Sequence, residues 1–376
     1  MAGSPPEALP RELIDEPGGG ALFGILAEGL ADRFESRLCD VYARLFAGGI
    51  AAVSPLGSAA ELVARYERTR RPRMVAADPR RVFVLSRVTL GADVAVTSVL
   101  LDATKRRFPN AGIFFVGPRK NYELFAGDER IGHLAVNYGR GSLAERLMVC
   151  DDLRTALDVP DALVLDPDSR LTQLGLVPVC GEDHYHLFES RSYGGETART
   201  LPELAADWAA ETLGVSGARP YLALPEPPLR HGGIAVSLGV GENPAKRIQD
   251  PFEEELLRLL SGHGRPLWID RGAGGEEAAR VRRAAERAGV AASFWNGSFA
   301  GFASIIAGSG LYVGYDSAGQ HVAAAAGVPF ASIFAGFPVP RMFERWRPAG
   351  PGGRVIRVDR PHPDYVLEQV RGCLPM

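Results

Sequence analysis

The densest group of residues able to do chemistry is L-Y-V-G-Y-D-S-A-G-Q-H-V-A-A-A-A-G-V-P-F-A-S-I-F at 311–334. Asp316 and Ser317 follow an apolar run and open a helix of small residues. The free N–H groups of that helix's first turn could hold an anion. Ala318, Gly319 and the alanines at 323–326 would let the helix pack close to a neighbour. Capping explains Asp316 or Ser317 equally well. His321, five residues after Asp316, could equally be a buried structural histidine.

Three more stretches carry candidate chemistry. In S-L-G-V-G-E-N-P-A-K-R (237–247), Gly239 and Gly241 would let backbone approach a phosphate that Lys246 and Arg247 neutralise. Turn glycines beside surface cations give the same pattern. In D-R-G-A-G-G-E-E (270–277), Glu276 or Glu277 could accept ribose hydroxyls, or could balance a helix dipole. In V-T-L-G-A-D-V-A-V-T-S (88–98), Asp93 sits where a strand gives way to a helix. It could be a general base at the carboxyl edge of that strand, or simply an N-cap. Arg170, Gln173, Arg191 and Tyr193 lie at expected strand ends and could line an acceptor side, although solvated loops account for them as well. Asp166-Pro167-Asp168 looks like a metal-binding Asp-x-Asp, but one short motif is non-specific, and no metal site is expected. Trp268, Trp295 and Trp346 fit core or wall positions better than sugar-stacking platforms.

These residues need elements to place them. Residues 1–19, rich in Pro, Gly and acidic side chains, are expected to form a loose arm. From Ala21 to about Leu45, and again over Ser58–Thr69, apolar residues fall at helical spacing. Residues 1–75 are therefore expected to be a helical extension that packs on its own body, joins two subunits or touches a partner. From Arg81 a βαβ rhythm begins. It has strands at 82–86, 112–117, 132–136, 162–166 and 177–180, and a helix from Asp93 to Phe108 stopped by Pro109. Residues 214–230, with Pro220, Pro225, Pro227 and Pro228, suggest a linker. The rhythm then restarts. Strands are expected at 234–238, 266–270, 291–295, 311–314 and 329–334, with Asp250-Pro251 capping a helix that opens on Glu253, Glu254 and Glu255. Later helices are expected to run to Ala288, to be capped by Ser298, and to cover 317–326. The expected architecture is α/β: two Rossmann-like domains, 76–228 and 229–376, facing across a cleft, with ligands at the carboxyl ends of strands.

Composition narrows the class. The chain has 376 residues, 46% hydrophobic and 23% charged, enough for two packed cores. A net charge of -3 argues against a nucleic-acid partner. Cys39, Cys150, Cys180 and Cys373 are scattered, so neither a zinc knuckle nor a disulfide scaffold is expected, and single thiols fit a reducing cytoplasm. The first residues show no signal peptide, and the apolar stretch 20–26 is too short to span a bilayer. No G-x-G-x-x-G follows the first strand of either half, which disfavours a nicotinamide dehydrogenase.

The 311–334 block resembles the C-terminal signature of glycosyltransferase family 9, the ADP-heptose:lipopolysaccharide heptosyltransferases: Asp-(Ser/Thr)-Gly-x-x-His, an Ala-rich helix, then Gly-x-Pro before a strand. L-S-R-V-T-L-G-A-D-V-A-V-T-S-V-L-L-D-A-T-K-R-R-F-P-N-A (85–111) is similar to the family's opening, in which Gly-Asp precedes a helix ending in Arg-Phe-Pro-x-Ala. The likeness covers roughly residues 80–350. This chain has an alanine between Gly91 and Asp93, Ala318 in the place of a glycine, and Lys246-Arg247-Ile248 where Lys-Arg-Trp is usual. The resemblance implies a GT-B fold with the acceptor on the first domain and a nucleotide-sugar on the second. The last helix would be able to pack back on the first domain. It also implies inverting, metal-independent transfer. Asp93 would be the base, and Lys246 and Arg247 would bind the diphosphate. Glu276 would hold the ribose. Asp316, with the amides of Ser317 and Ala318, would hold the donor's sugar and phosphates, and His321 would brace that loop or touch the phosphate.

The resulting expectation is a cytoplasmic glycosyltransferase of the bacterial cell envelope or of secondary metabolism. It would use a nucleotide-diphosphate sugar as substrate and no separate cofactor. Its acceptor would be a glycan, a lipid-linked molecule or a small molecule, reached by a chain that could be peripheral at the membrane. It could form a homo-oligomer through its N-terminal helices. A GT-B nucleotide-sugar epimerase and a catalytically degenerate GT-B scaffold are the alternatives.

Overall fold

The computed structural model describes residues 8–76, 78–226, 228–241, 243–272 and 274–374. Residues 1–7 of the expected arm and Pro227 of the expected linker lie outside them. The chain divides into two compact units, Met1–Tyr122 with Glu129–Pro220, and Glu123–Asp128 with Tyr221–Met376.

The first unit is built on a parallel sheet of β1 (Arg81–Leu85), β2 (Gly112–Gly117), β3 (Ile131–Ala135), β4 (Ala162–Asp166) and β5 (Tyr185–Leu187), in the order β3-β2-β1-β4-β5. Val82 pairs with Ile113 on one side and Leu163 on the other. Alternation along the strands sends Phe83, Leu85, Val164 and Leu187 to one face. There they share a core with Tyr42, Phe46, Ile50, Leu62 and Tyr66 from helices Ser36–Val53 and Ala59–Thr69. Burying a side chain as large as Phe46 contributes about 1.5–3 kcal/mol. The N-terminal segment is thus a layer of the first core rather than an appended module. The described part of the expected arm is packed rather than loose, with Leu9 and Ile14 both buried.

The N-terminal helical pattern is interrupted. Helix Glu28–Ala31 stops, and Phe34 takes a left-handed φ of 54° that turns its ring into the core before Ser36 restarts the helix. Helix Ala59–Thr69 is started by a capping box: Glu61 N donates to Ser58 Oγ at 3.3 Å and Ser58 N to Glu61 Oε2 at 2.8 Å. The strand expected at 177–180 is absent. Pro178 has no N–H to give a ladder, and the left-handed turn at Gln173, Leu174 and Gly175 breaks the approach. The fifth strand is Tyr185–Leu187, with Tyr185 paired to Val164.

The second unit holds a parallel sheet of β6 (Ile234–Ser237), β7 (Leu267–Asp270), β8 (Ala292–Trp295), β9 (Leu311–Tyr315), β10 (Phe330–Phe334) and β11 (Gly353–Arg357), in the order β11-β10-β9-β6-β7-β8. Ser298 caps helix Phe299–Gly308 by accepting from Gly301 N at 3.1 Å. Gly289, left-handed at φ 66°, closes helix Gly275–Ala288. Asp250 caps nothing; its carboxylate pairs with Arg247, and helix Phe252–Ser261 starts uncapped after Pro251. The last helix, Pro363–Cys373, places Val366 and Val370 in the second core. The linker is tied to residues 123–128 by Gly127 N to Ala223 O at 2.7 Å. Among the described residues, no helix is long and apolar enough to cross a membrane.

Candidate functional site

In a parallel sheet the loops after the carboxyl ends of the strands are the natural place for a ligand. In the second unit, the loop after β6 and the turn after β9 meet there. Lys246 Nζ lies 2.7 Å from Asp316 Oδ2, and it also donates to the Asp316 carbonyl at 3.2 Å. Helix Ala318–Ala325 begins two residues after Asp316. Ser317 precedes it but makes no side-chain cap; its Oγ lies 3.5 Å from Tyr312 Oη. The first-turn amides are therefore not occupied by a capping side chain, and the positive helix end sits beside an ammonium. Gly319 is required by packing: a Cβ there would stand 2.3 Å from Tyr312 Oη.

Asp316 is held from behind. Gln320, fully buried, donates its amide to Asp316 Oδ1 and accepts from the buried Ser332 hydroxyl on β10. Gln320 Nε2 also lies 3.3 Å from His321 Nε2. His321 is buried and packs edge-on to Trp346 at 6.0 Å. Burial pushes its imidazole down to about 4; Lys246 adds to this, and Asp316 opposes it. The ring is thus neutral near pH 7. Sequence reasoning singled out neither Gln320 nor Ser332. Gly336 was missed too. Its φ is 69°, and a Cβ there would stand 2.7 Å from Lys246 N, so the loop after β10 packs directly on the backbone that carries Lys246.

The other expected donor-side residues divide. Arg247 turns away from Asp316. Its Nε lies 3.2 Å from Glu253 Oε1 and its Nη2 is on Asp250. Tyr315 Oη and Arg280 donate to the same buried Glu253 oxygen. Glu276 is exposed, whereas Glu277 turns inward and accepts from Val240 N at 3.0 Å. Gly239 and Gly272 make room for it, since their Cβ atoms would stand 3.0 and 2.0 Å from Glu277 Oε1. Gly241 takes a left-handed φ of 59°. Of the two acidic residues, Glu277 is therefore the one at the glycine loop.

In the first unit, Asp93 is neither a cap nor a solvent-facing carboxylate. The helix starts earlier, at Leu90, and widens into a π-type turn over Asp93–Thr97 before Ser98–Arg107. The alanine between Gly91 and Asp93 is the last residue of the α-helical turn Leu90–Ala92, directly before this wider turn. Asp93 is completely buried and accepts from Ser86 Oγ at 2.6 Å, Arg87 N at 2.7 Å, Thr97 Oγ1 at 2.6 Å and Asn121 Nδ2 at 2.6 Å. Burial pushes its carboxyl up and the hydrogen bonds pull it back.

Two of the four expected acceptor-side residues, Arg191 and Gln173, are internal. Arg191 is buried, with Nε 3.0 Å from Asp168 Oδ2 and 3.2 Å from Glu189 Oε1, Nη2 donating to Tyr66 Oη at 3.3 Å, and the guanidinium 5.0 Å from the Tyr42 ring centroid. It braces the loops after β4 and β5 against the N-terminal helices, so it is not on a solvated loop. Gln173 is buried, with Nε2 donating to Arg170 O at 3.2 Å. Tyr193 donates to Glu211 Oε2 at 2.9 Å. Arg170 is partly exposed and lies 3.4 Å from Glu28. Asp166 is taken by Ser169 N, Thr172 and Tyr185, and burial moves its carboxyl up to about 6. Among the described residues, no three His, Cys, Asp or Glu gather to hold a metal ion.

No protein-family model and no curated protein matches this chain. Solved structures do. The E. coli heptosyltransferase WaaC with ADP superposes with a TM-score of 0.59 at 17% identity, over 78% of this chain and 100% of that one. The glycosyl transferase family 9 protein from Veillonella parvula gives 0.57 at 15% identity, over 80% and 91%. E. coli ADP-heptose lps heptosyltransferase II gives 0.53 at 19% identity, over 78% and 98%. The chain has the heptosyltransferase-like α/β fold of the GT-B kind.

Proposed function

We propose that this chain is a glycosyltransferase that binds a nucleoside-diphosphate sugar on its second unit and transfers the sugar to an acceptor hydroxyl. The observation that carries the reading is Lys246 beside Asp316 at the uncapped N-terminus of helix Ala318–Ala325. That cation and helix end would receive the diphosphate, with Glu277 at the Gly239–Val240 loop placed for ribose hydroxyls. The shared fold supports it, since one similar structure is a heptosyltransferase with ADP.

In the proposed reaction the acceptor oxygen attacks the anomeric carbon as the bond from that carbon to the diphosphate oxygen breaks. The electron pair leaves with the nucleoside diphosphate, where Lys246 and the helix dipole stabilise it. A single displacement inverts the anomeric centre, and the positive groups named do the work that a divalent cation could otherwise do. The acceptor proton goes to a carboxylate. Asp93 is the proposed base, and one of its donors, Ser86 or Asn121 on Oδ2, must yield to the acceptor hydroxyl first. The test is a thermal shift of the full chain with ADP, UDP, GDP, CDP and TDP without magnesium. A bound nucleotide at 100 times its Kd stabilises by about 2.7 kcal/mol. No shift with any of the five overturns the reading.

A further inference from the structure

Gln320 lies between Gly319 and His321 in the D-S-A-G-Q-H stretch, and no role follows from its residue type alone. Its surroundings leave its amide one arrangement. The side chain is fully buried between Asp316 and Ser332. An ionised carboxylate has no proton to give, so the end of the amide facing Asp316 Oδ1 is the NH2. The oxygen then faces Ser332, whose hydroxyl donates to it. The opposite arrangement would press the amide oxygen against a carboxylate oxygen. One N–H of the NH2 goes to Asp316, and the other points at His321 Nε2, 3.3 Å away. A nitrogen that receives an N–H carries no proton itself. The neutral imidazole therefore bears its proton on Nδ1.

We infer that Gln320 is the positioning residue of this site: its amide, oriented by the Asp316 carboxylate and anchored by the Ser332 hydroxyl, fixes two settings at once, Asp316 turned toward Lys246 and His321 held as the Nδ1–H tautomer. The charged groups around the ring are Asp316 on the preceding turn and Lys246 on the loop after β6, while Trp346 packs against it edge-on. Protonating Nε2 would set an N–H against the Gln320 NH2, so the amide excludes the imidazolium by hydrogen-bond polarity as well as by burial. The consequence for the donor site rests on the function proposed above. A phosphate arriving at Lys246 meets a neutral histidine and a carboxylate already committed to the lysine and the amide.

The test uses the full chain labelled with 15N-histidine, with His321 assigned from the signal lost in His321→Gln. Long-range 15N–1H spectra should show His321 neutral, protonated on Nδ1 and bare on Nε2, without titration near its ordinary 6.5. In Gln320→Glu a carboxylate replaces the NH2 opposite Nε2. The ring should gain its second proton at a higher pH, and nucleoside-diphosphate affinity should fall about tenfold or more. Wild-type His321 found as the Nε2–H tautomer, or unchanged in Gln320→Glu, overturns the inference; the wild-type spectrum alone decides it if the variant does not fold. The expected tautomer in a protein that no nucleoside diphosphate stabilises would instead overturn the proposed function and leave the assignment of Gln320 standing.

Discussion

The Lys246 ammonium sits 2.7 Å from Asp316 Oδ2, whereas the adjacent Arg247 reaches the other way to Glu253 and Asp250. Two neighbouring cations that look equivalent in sequence thus have different duties. Lys246→Ala should weaken nucleoside-diphosphate binding by about 10- to 100-fold, the scale of a lost charge-assisted hydrogen bond of roughly 1.5–3 kcal/mol. Arg247→Ala should lower Tm, because it leaves the buried Glu253 with fewer partners, yet keep nucleotide affinity within about twofold of wild type. Calorimetric titration of both variants separates the roles. Equal losses of affinity would show that Arg247 also reaches the ligand.

A similar pair lies one loop away. Glu277 accepts from Val240 N and Glu276 is exposed. Glu277→Gln should reduce affinity for the nucleotide, and much less so for its 2′-deoxy analogue, since a carboxylate reads ribose hydroxyls better than an amide does. Glu276→Gln should change neither. The outcome that sinks this assignment is a ribose-dependent loss in Glu276→Gln with none in Glu277→Gln.

Much of this arrangement was legible in the sequence, and the gaps have physical causes. The β-branched runs and glycine breaks located most strands, because buried parallel strands must be near-continuously apolar. Position 177–180 misled because Val177 and Val179 are buried in a loop, and burial alone does not make a ladder. The N-terminal helices showed their periodicity but not their destination; nothing local says that Tyr66 Oη will meet Arg191, 125 positions away. The glycine loop, Lys246 and Asp316 could be named as candidates from residue type and spacing, with their roles implied only by the resemblance. Gln320 and Ser332 could not, because a buried polar pair of this kind is defined only by what it touches. Glu276 and Glu277 differ only in which way one helix turn points them.

Acid should weaken the fold partly through buried histidines. His321 and His186 are each pushed down to about 4, by burial first in both cases, with Lys246 and Arg73 adding to it. A group whose folded pKa lies below its unfolded value of 6.5 binds fewer protons when folded. Stability therefore rises with pH between about 4 and 6.5 and is lost on acidification, by up to the order of 3 kcal/mol per group. Asp166 works in the opposite sense. Its carboxyl is raised to about 6, so its contribution is present at low pH and lost as pH rises through that value. The clean readout is consequently the difference between wild type and His321→Gln. Their Tm values should diverge at pH 7 and converge toward pH 4. Parallel Tm curves across that window would mean that His321 does not titrate on unfolding as stated.

Asp93 poses the sharpest question, because its carboxylate is at once the proposed base and the acceptor for Ser86, Arg87 N, Thr97 and Asn121. Asp93→Asn keeps the size but exchanges one oxygen for an NH2, which must then face at least one of those donors. Tm should fall, and the folded protein should also lose about 10²- to 10⁴-fold in kcat, the usual contribution of a general base, with donor KM little changed. Thr97→Val is the control. It removes one donor from Oδ1, costs on the order of 1 kcal/mol of stability, and leaves the carboxylate in place, so kcat should stay within a few-fold of wild type. If folded Asp93→Asn transfers sugar at the wild-type rate, Asp93 is only a clamp joining the loop after β1 to Asn121, and the proton must go to another group.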